Sequence, residues 1–198
     1  MLNTKTMVAL GLSLILSATS VLPATAALVY DRTTGTFVEE STIAPRPRAG
    51  QSAIKKEIVE YATTQKPGTI VIETGERRLY LVLEDGKAMK YGIGVGRDGF
   101  TWSGTHRITR KAEWPGWTPP AAMRKRVPDL PAFMEGGPDN PLGARALYIG
   151  STLYRVHGTS EPWSIGQAVS SGCIRLTNDD VTDLYERVAV GAKIVVNH

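Results

Sequence analysis

Cys173 is the only cysteine in this chain of 198 residues, and His157 precedes it in the sequence. A thiol acts as a nucleophile in its thiolate form, and a neighbouring imidazole can accept its proton. A single cysteine has no partner for an intramolecular disulfide, the usual role of cysteine in exported proteins. Composition leaves two alternatives open: a reactive thiol, or a buried cysteine that serves as a small apolar side chain.

The residues around Cys173 favour the reactive alternative. Gly172 allows a tight bend and lets a substrate approach the sulfur. Backbone N–H groups around Ser171, Gly172 and Cys173 could face a developing oxyanion, where each donor contributes about 3 kcal/mol. His157 closes a predicted strand and is followed by Gly158, so its ring is expected at a strand end. Together these residues predict an acyl-transfer site.

The remaining histidines do not suggest a metal site. His106 lies between Thr105 and Arg107, and His198 is the last residue of the sequence. A zinc site needs three or four converging ligands, which the sequence does not offer, so we expect no metal and no cofactor. The net charge is +4, and the lysine and arginine residues are dispersed along the chain. Nucleic acid is therefore not an expected partner, whereas a modest attraction to anionic wall polymer or membrane stays open.

The first residues resemble a secretory signal. Lys5 provides a basic start, residues 7–22 are almost entirely apolar, and Ala24-Thr25-Ala26 fits a small-x-small cleavage site. The apolar run is short for a membrane span, which needs about 20 residues. We expect cleavage after Ala26, with an uncleaved anchor as the alternative. The mature protein is then periplasmic or otherwise exported, and soluble.

The chain divides into a signal peptide (1–26), an N-terminal extension or linker (27–67) and a folded domain (68–198). The extension is expected to be polar and irregular, with a Pro- and Gly-rich stretch at 44–50. Residues 54–61 could form a short helix within it. The size of the remaining chain suits a single domain.

Short strands dominate the folded domain. Alternating and β-branched residues predict strands at 69–74, 79–83 and 88–95, and Asp85-Gly86 indicates the hairpin turn between the last two. The glycines within 92–96 are not followed by a helix. Close approach of another backbone or of a ligand explains them better than phosphate binding.

A long loop segment rich in Trp, Pro and Gly, residues 97–145, interrupts the strands. One short helix is predicted inside it at 120–126, with proline at its start. Long ordered loops are often binding loops or lids, so we expect part of this segment to cover the cleft beside Cys173. The alternative is that its tryptophans plug the ends of a small sheet.

The end of the chain is again regular. A hairpin is predicted at 146–156, then a helix from Asn178 to Gly191 that is capped by Thr177 or by Asn178 itself, then a strand at 193–196. The predicted fold is therefore mainly β, a β-rich mixed sheet or sandwich with one clear helix on the C-terminal side.

Arg175 makes the pattern specific. His157-Gly158, followed by Ser170–Leu176 and a capped helix, resembles the L,D-transpeptidase catalytic domain family of the YkuD type. Fifteen residues separate the histidine from the cysteine, which fits that family, and the resemblance covers about 68–196. Ser171 stands where the family most often has histidine; because that position acts mainly through its backbone, activity is expected to survive.

The resemblance implies a role for each site residue. Cys173 would be the nucleophile and His157 its base, with the backbone carbonyl of Gly158 orienting the imidazole. Gly172 and Cys173 would supply oxyanion N–H groups in the turn that contains Ser171. Beyond that turn, an arginine two residues after the cysteine would hold the active-site loop or a substrate carboxylate, with a purely structural ion pair as the alternative.

The resemblance also implies a substrate, the peptidoglycan stem peptide. Cys173 would attack the carbonyl after the L-centre of meso-diaminopimelate and release terminal D-Ala. The acyl group would then pass to an amine of a second stem, giving a 3→3 cross-link, or of an outer-membrane protein. Water as acceptor would make the enzyme an L,D-carboxypeptidase or a hydrolase of wall bonds. An inactive wall-binding module is disfavoured because His157 and Cys173 are both present.

Overall fold

The structure, a computed structural model, describes residues 28–31, 36–39, 52 and 54–198. The expected signal peptide, residues 1–26, lies outside the described residues, and its cleavage stays a prediction. Within the described residues, no helix is long and apolar enough to cross a membrane.

A short hairpin replaces part of the expected irregular extension. Strands β1 (Leu28–Asp31) and β2 (Thr36–Glu39) pair antiparallel, with Tyr30 opposite Phe37. Aromatic and β-branched residues favour strands, and they outweigh the polar character of the surrounding sequence. The hairpin belongs to a unit, residues 1–43, that is separate from the unit formed by residues 44–198.

The described residues of the second unit carry the remaining strands and two α-helices. Its strands are β3 (Glu57–Glu60), β4 (Ile70–Glu73), β5 (Arg78–Val82), β6 (Lys87–Gly92), β7 (Val95–Gly96), β8 (Gly104–Glu113), β9 (Arg145–Ile149), β10 (Arg155–His157), β11 (Ala168–Ser170), β12 (Ile174–Arg175) and β13 (Lys193–Asn197); its helices are α1 (Ala121–Arg126) and α2 (Asn178–Arg187). A 3₁₀ turn covers Pro162–Ser164. Strands dominate, which confirms the mainly β prediction.

One mixed sheet of nine strands organises the described part of this unit, in the order β12-β10-β9-β8-β13-β4-β5-β6-β3. β10 and β12 run parallel, as do β13 and β4, while the other neighbouring strands are antiparallel. β7 and β11 form a separate parallel pair. The arrangement places β10, which ends in His157, beside β12, which begins directly after Cys173.

Helix α2 follows β12 and packs into the core. The hydroxyl of Thr177 accepts the Asp180 N–H at 3.1 Å, which confirms Thr177 as the cap. Val181 and Leu184 are fully buried and belong to the same apolar cluster as the inward side chains of the sheet. The helix ends at Arg187, earlier than the predicted Gly191, which lies in the turn before β13 with φ +93°.

Two predicted elements are wrong. Residues 57–60 form β3, not a helix, because this segment adds an edge strand to β6 and pairs Glu57 with Lys90 at 2.5 Å. The segment predicted as one long loop contains the ten-residue strand β8. Only Ile108 of β8 is fully buried, so backbone pairing with β9 and β13, not an apolar pattern, holds this strand. The short helix α1 inside the segment is confirmed.

The glycine predictions are confirmed. Asp85 and Gly86 have φ values of +58° and +67°, the signature of a type I′ hairpin turn between β5 and β6. A Cβ on Gly94 would lie 2.8 Å from the Ser164 carbonyl oxygen, and one on Gly96 would lie 2.4 Å from the Phe100 carbonyl oxygen. Other backbone segments therefore approach these two glycines more closely than any side chain would allow.

Candidate active site

His157 ends β10, and Cys173 directly precedes β12, the strand paired with it. In the parallel pair of β10 and β12, Val156 lies opposite Ile174 and His157 lies opposite Arg175. Successive strand residues point to opposite faces, so His157 and Arg175 share one face, and Cys173 directly precedes the first residue of β12. Val156 and Ile174 are buried in the core on the other face.

The imidazole of His157 has one defined tautomer. Its Nδ1 lies 2.6 Å from the carbonyl oxygen of Gly158. A carbonyl only accepts hydrogen bonds, so Nδ1 must carry the proton in this contact. In the neutral ring, Nε2 then carries the lone pair. Gly158 thus holds the ring through its backbone, in the geometry that the resemblance implies.

The environment keeps His157 neutral. The side chain is buried, with 4% of its surface exposed. Burial, followed by the positive charge of Arg175 and then that of Arg155, lowers the pKa of His157 to about 3, although the carbonyls of Gly158 and Leu142 act in the opposite direction. At neutral pH the imidazole is therefore a free base and not an imidazolium.

The turn that carries Cys173 is held by a serine. The Oγ of Ser170 accepts the Gly172 N–H at 3.1 Å and donates to the Cys173 carbonyl at 2.6 Å. Gly172 has φ +102°, a conformation that side chains rarely adopt. The Cys173 thiol is partly exposed, with Sγ 4.0 Å from the Leu153 carbonyl oxygen. The sequence analysis assigned no role to Ser170, although its place at the start of the Ser170–Cys173 motif could have indicated one.

Two aromatic side chains border the same turn. Trp102 Nε1–H donates to the Gly172 carbonyl at 2.8 Å, and the indole stacks on the ring of Tyr154. A Cβ on Gly172 would lie 2.4 Å from Tyr154 Cε1. Part of the long Trp-rich segment therefore lies against the cysteine turn. The position of Tyr154 was not predicted, because it depends on the loop between β9 and β10.

The N–H groups that are expected to stabilise an oxyanion differ in their hydrogen-bond partners. The Gly172 N–H is engaged by the Ser170 hydroxyl. Over residues 54–198, the Cys173 N–H has no hydrogen-bond partner. Ser171 is partly buried. Within residues 54–198, the Cys173 N–H is thus a donor of this turn that no described group occupies.

Arg175 forms an ion pair. Its Nη1 lies 3.1 Å from Oε2 of Glu161, and the two side chains are 19% and 22% exposed. The backbone of Arg175 also exchanges two hydrogen bonds of 2.9 Å with Gly94. The guanidinium therefore links β12 to the segment before the 3₁₀ turn, which corresponds to the structural alternative considered for this residue.

Known proteins share both the sequence pattern and the fold. The L,D-transpeptidase catalytic domain model matches residues 67–196. The "Probable L,D-transpeptidase ErfK/SrfK" of Escherichia coli K12 is 40% identical over 160 residues, which cover 76% of this chain and 50% of that protein. The chain therefore spans about half the length of this curated relative.

Two solved structures are also similar. L,D-transpeptidase 3 of Mycobacterium tuberculosis, 18% identical, covers 66% of this chain and 60% of its own with a TM-score of 0.51, and it shares the fold. The "Probable carnitine operon oxidoreductase caia" of Brucella melitensis is 43% identical and covers 74% of this chain and 96% of its own, with a TM-score of 0.51. That printed name refers to another activity, and the family assignment rests on the domain match and the E. coli relative. On that basis, the chain belongs to the L,D-transpeptidase catalytic domain family.

Proposed function

We propose that this protein is a cysteine-dependent L,D-transpeptidase that acts on peptidoglycan stem peptides. The observation that carries the proposal is the Gly158 carbonyl that holds His157 Nδ1 at 2.6 Å, at the end of the strand paired with the one that directly follows Cys173. A neutral imidazole base and a partly exposed thiol are the two groups that acyl transfer requires.

The first half of the reaction forms a thioester. Cys173 Sγ attacks the carbonyl after the L-centre of diaminopimelate, and the thiol proton moves to His157 Nε2. The Cys173 N–H, followed by the Gly172 N–H once it leaves Ser170, donates to the developing oxyanion. When the tetrahedral intermediate collapses, the peptide bond breaks and His157 returns its proton to the amine of the departing D-Ala.

The second half transfers the acyl group. An acceptor amine attacks the thioester carbonyl and gives a proton to His157. The C–S bond then breaks, and the sulfur leaves as the thiol. A second stem peptide as acceptor yields a 3→3 cross-link, an amine of an outer-membrane protein yields a protein anchored to the wall, and water yields L,D-carboxypeptidase activity.

The organisation of the whole chain is part of the proposal. Residues 1–26 act as a signal peptide, residues 27–67 as an extension, and residues 68–198 as the catalytic domain. The protein then works in the periplasm, where its substrate is found. β3, within the proposed extension, joins the edge of the catalytic sheet, so the extension contributes to that domain.

The proposal is tested with the full chain and a purified tetrapeptide stem. We expect mass spectrometry to detect a covalent adduct that lacks D-Ala on the wild type, and none on Cys173→Ala. An adduct on Cys173→Ala, or none on the wild type, contradicts the proposal. In the same reaction, dimers identify a stem amine as acceptor, and trimmed monomers alone identify water.

A further inference from the structure

Asn178 occupies a central position behind the histidine. It is the first residue of α2, but the cap of that helix is Thr177, so the side chain of Asn178 is not used for capping. Its Oδ1 instead accepts two backbone N–H groups, from Ala144 at 2.9 Å and from Thr159 at 3.2 Å. One amide oxygen thus joins the segment before β9 to the segment after β10.

The Thr159 N–H is part of the peptide that orients the histidine. The peptide between Gly158 and Thr159 contains both the Gly158 carbonyl and the Thr159 N–H. His157 Nδ1–H donates to that carbonyl at 2.6 Å, while Asn178 Oδ1 accepts that N–H at 3.2 Å. Because a peptide unit is planar and rigid, fixing its N–H also fixes the direction of its carbonyl.

Two glycines leave the space that the Asn178 side chain occupies. A Cβ on Gly158 would lie 2.3 Å from Asn178 Oδ1, and a Cβ on Gly143 would lie 2.2 Å from the same atom. Both distances are far below ordinary van der Waals contact. The backbone is therefore shaped around this amide oxygen, which is an observation independent of the two hydrogen bonds.

We propose that Asn178 is a positioning residue for His157. It fixes the Gly158–Thr159 peptide, and through it the Nδ1–H tautomer and the ring orientation of the base. In this protein a peptide group lies between Asn178 and His157. In other cysteine enzymes the asparagine side chain contacts the histidine directly. The inference rests on the proposed function for its catalytic meaning, but the coupling of Asn178 to His157 can be measured without any substrate.

The test compares three variants. Asn178→Ala removes the acceptor, whereas Asn178→Asp retains an oxygen that accepts both N–H groups. Asp179→Ala is the matched control, since Asp179 is exposed and lies in the same first turn of α2. Should Asn178→Ala be unfolded at 25 °C, Asn178→Ser replaces it, because a hydroxyl on a shorter side chain cannot reach both N–H groups.

Two readouts report on the histidine directly. Nitrogen-15 NMR identifies which ring nitrogen of His157 carries the proton, and iodoacetamide measures the reactivity of Cys173. We expect Asn178→Ala to lose the single Nδ1–H tautomer and to be alkylated more slowly at neutral pH. Its transpeptidation rate should fall by on the order of 10²-fold with KM almost unchanged. Asn178→Asp and Asp179→Ala should retain the wild-type tautomer.

The possible outcomes separate a positioning role from a structural one. A folded Asn178→Ala variant with wild-type tautomer and alkylation rate overturns the inference, even if its thermal stability is lower. An equal loss of tautomer in Asp179→Ala also overturns it. Loss of the tautomer only in Asn178→Ala supports it, and does so whether or not the wild type transfers stem peptides. Failure of the proposed function is therefore distinguishable from failure of this inference.

Discussion

Trp102 and Tyr154 stack face to face beside the cysteine turn, with ring centroids 4.6 Å apart and planes that differ by 2°. The indole N–H of this pair donates to the Gly172 carbonyl. That carbonyl and the Cys173 N–H belong to the same peptide. The stacked pair therefore sets the direction of the backbone donor that we propose for the oxyanion.

Trp102→Phe tests this arrangement, because it keeps an aromatic ring but removes the indole N–H. We expect kcat to fall about fivefold, the equivalent of about 1 kcal/mol for one hydrogen bond, with KM nearly unchanged. Steady-state kinetics with a tetrapeptide stem provide the measurement. Trp114→Phe, at an exposed tryptophan, is the control and should keep its rate. Equal rates for the two variants would exclude an orienting role for Trp102.

Gly172→Ala should damage the site more than the fold. The new Cβ would both require a strained positive φ and lie 2.4 Å from Tyr154. Gly99→Ala is the matched control, because Gly99 has φ +79° but open space around its Cβ position. We expect Gly99→Ala to lose about 1 kcal/mol of stability and keep its activity.

For Gly172→Ala, the expected loss of activity is on the order of 10²-fold, because the nucleophile turn must shift to relieve the contact. Thermal unfolding and kinetics measure the two effects separately. Equal activity in the two variants would show that contact with Tyr154 does not position Cys173.

Acidification should destabilise the protein through His157. Its folded pKa is lowered to about 3 from an ordinary value near 6.5, so the unfolded chain binds the extra proton first as the pH falls. Stability from this group is complete above pH 6.5 and is lost progressively down to pH 3. Between pH 7 and pH 5, the loss should be about 2 kcal/mol.

Urea unfolding of the wild type and His157→Gln at both pH values measures this contribution. The variant has no titrating ring at this position, so its free energy of unfolding should change less between pH 7 and pH 5. If both proteins lose the same amount, the buried imidazole is not the group responsible.

The ion pair between Arg175 and Glu161 distinguishes two roles for the arginine. If the pair is structural, Arg175→Gln and Glu161→Gln should each lower the free energy of unfolding by about 2 kcal/mol, less than for a fully buried pair. The double variant should lose less than the sum, with a coupling of about 1 kcal/mol. KM should be the same for both single variants. A rise in KM confined to Arg175→Gln would instead indicate that the arginine binds a substrate carboxylate.

Local patterns predicted much of the fold. The Asp85-Gly86 turn, the Thr177 cap and the apolar face of α2 each depend on residues close in sequence, and the structure has all three. The motif around Cys173 also indicated the family, which the domain match confirms. In each of these cases the residues that carry the signal lie in one short stretch of the sequence.

Non-local contacts account for what the sequence did not predict. β8 is a polar strand that exists because β9 and β13 pair with its two edges. Asn178 was predicted only as the start or the cap of a helix, and its contacts with Ala144 and Thr159 depend on three segments meeting at one point. No periodicity or local motif in the sequence predicts such a contact between distant segments.

The position of β13 has a consequence for the synthesis of the protein. This strand, residues 193–197, lies between β8 and β4 and joins the four strands that include the site to the four strands on the other side. Until these residues have left the ribosome, both groups of strands have an open edge and cannot complete one sheet. Such long-range pairing also forms slowly. The nascent chain therefore cannot complete this sheet before β13 has been synthesised, a state compatible with the export that we propose for it.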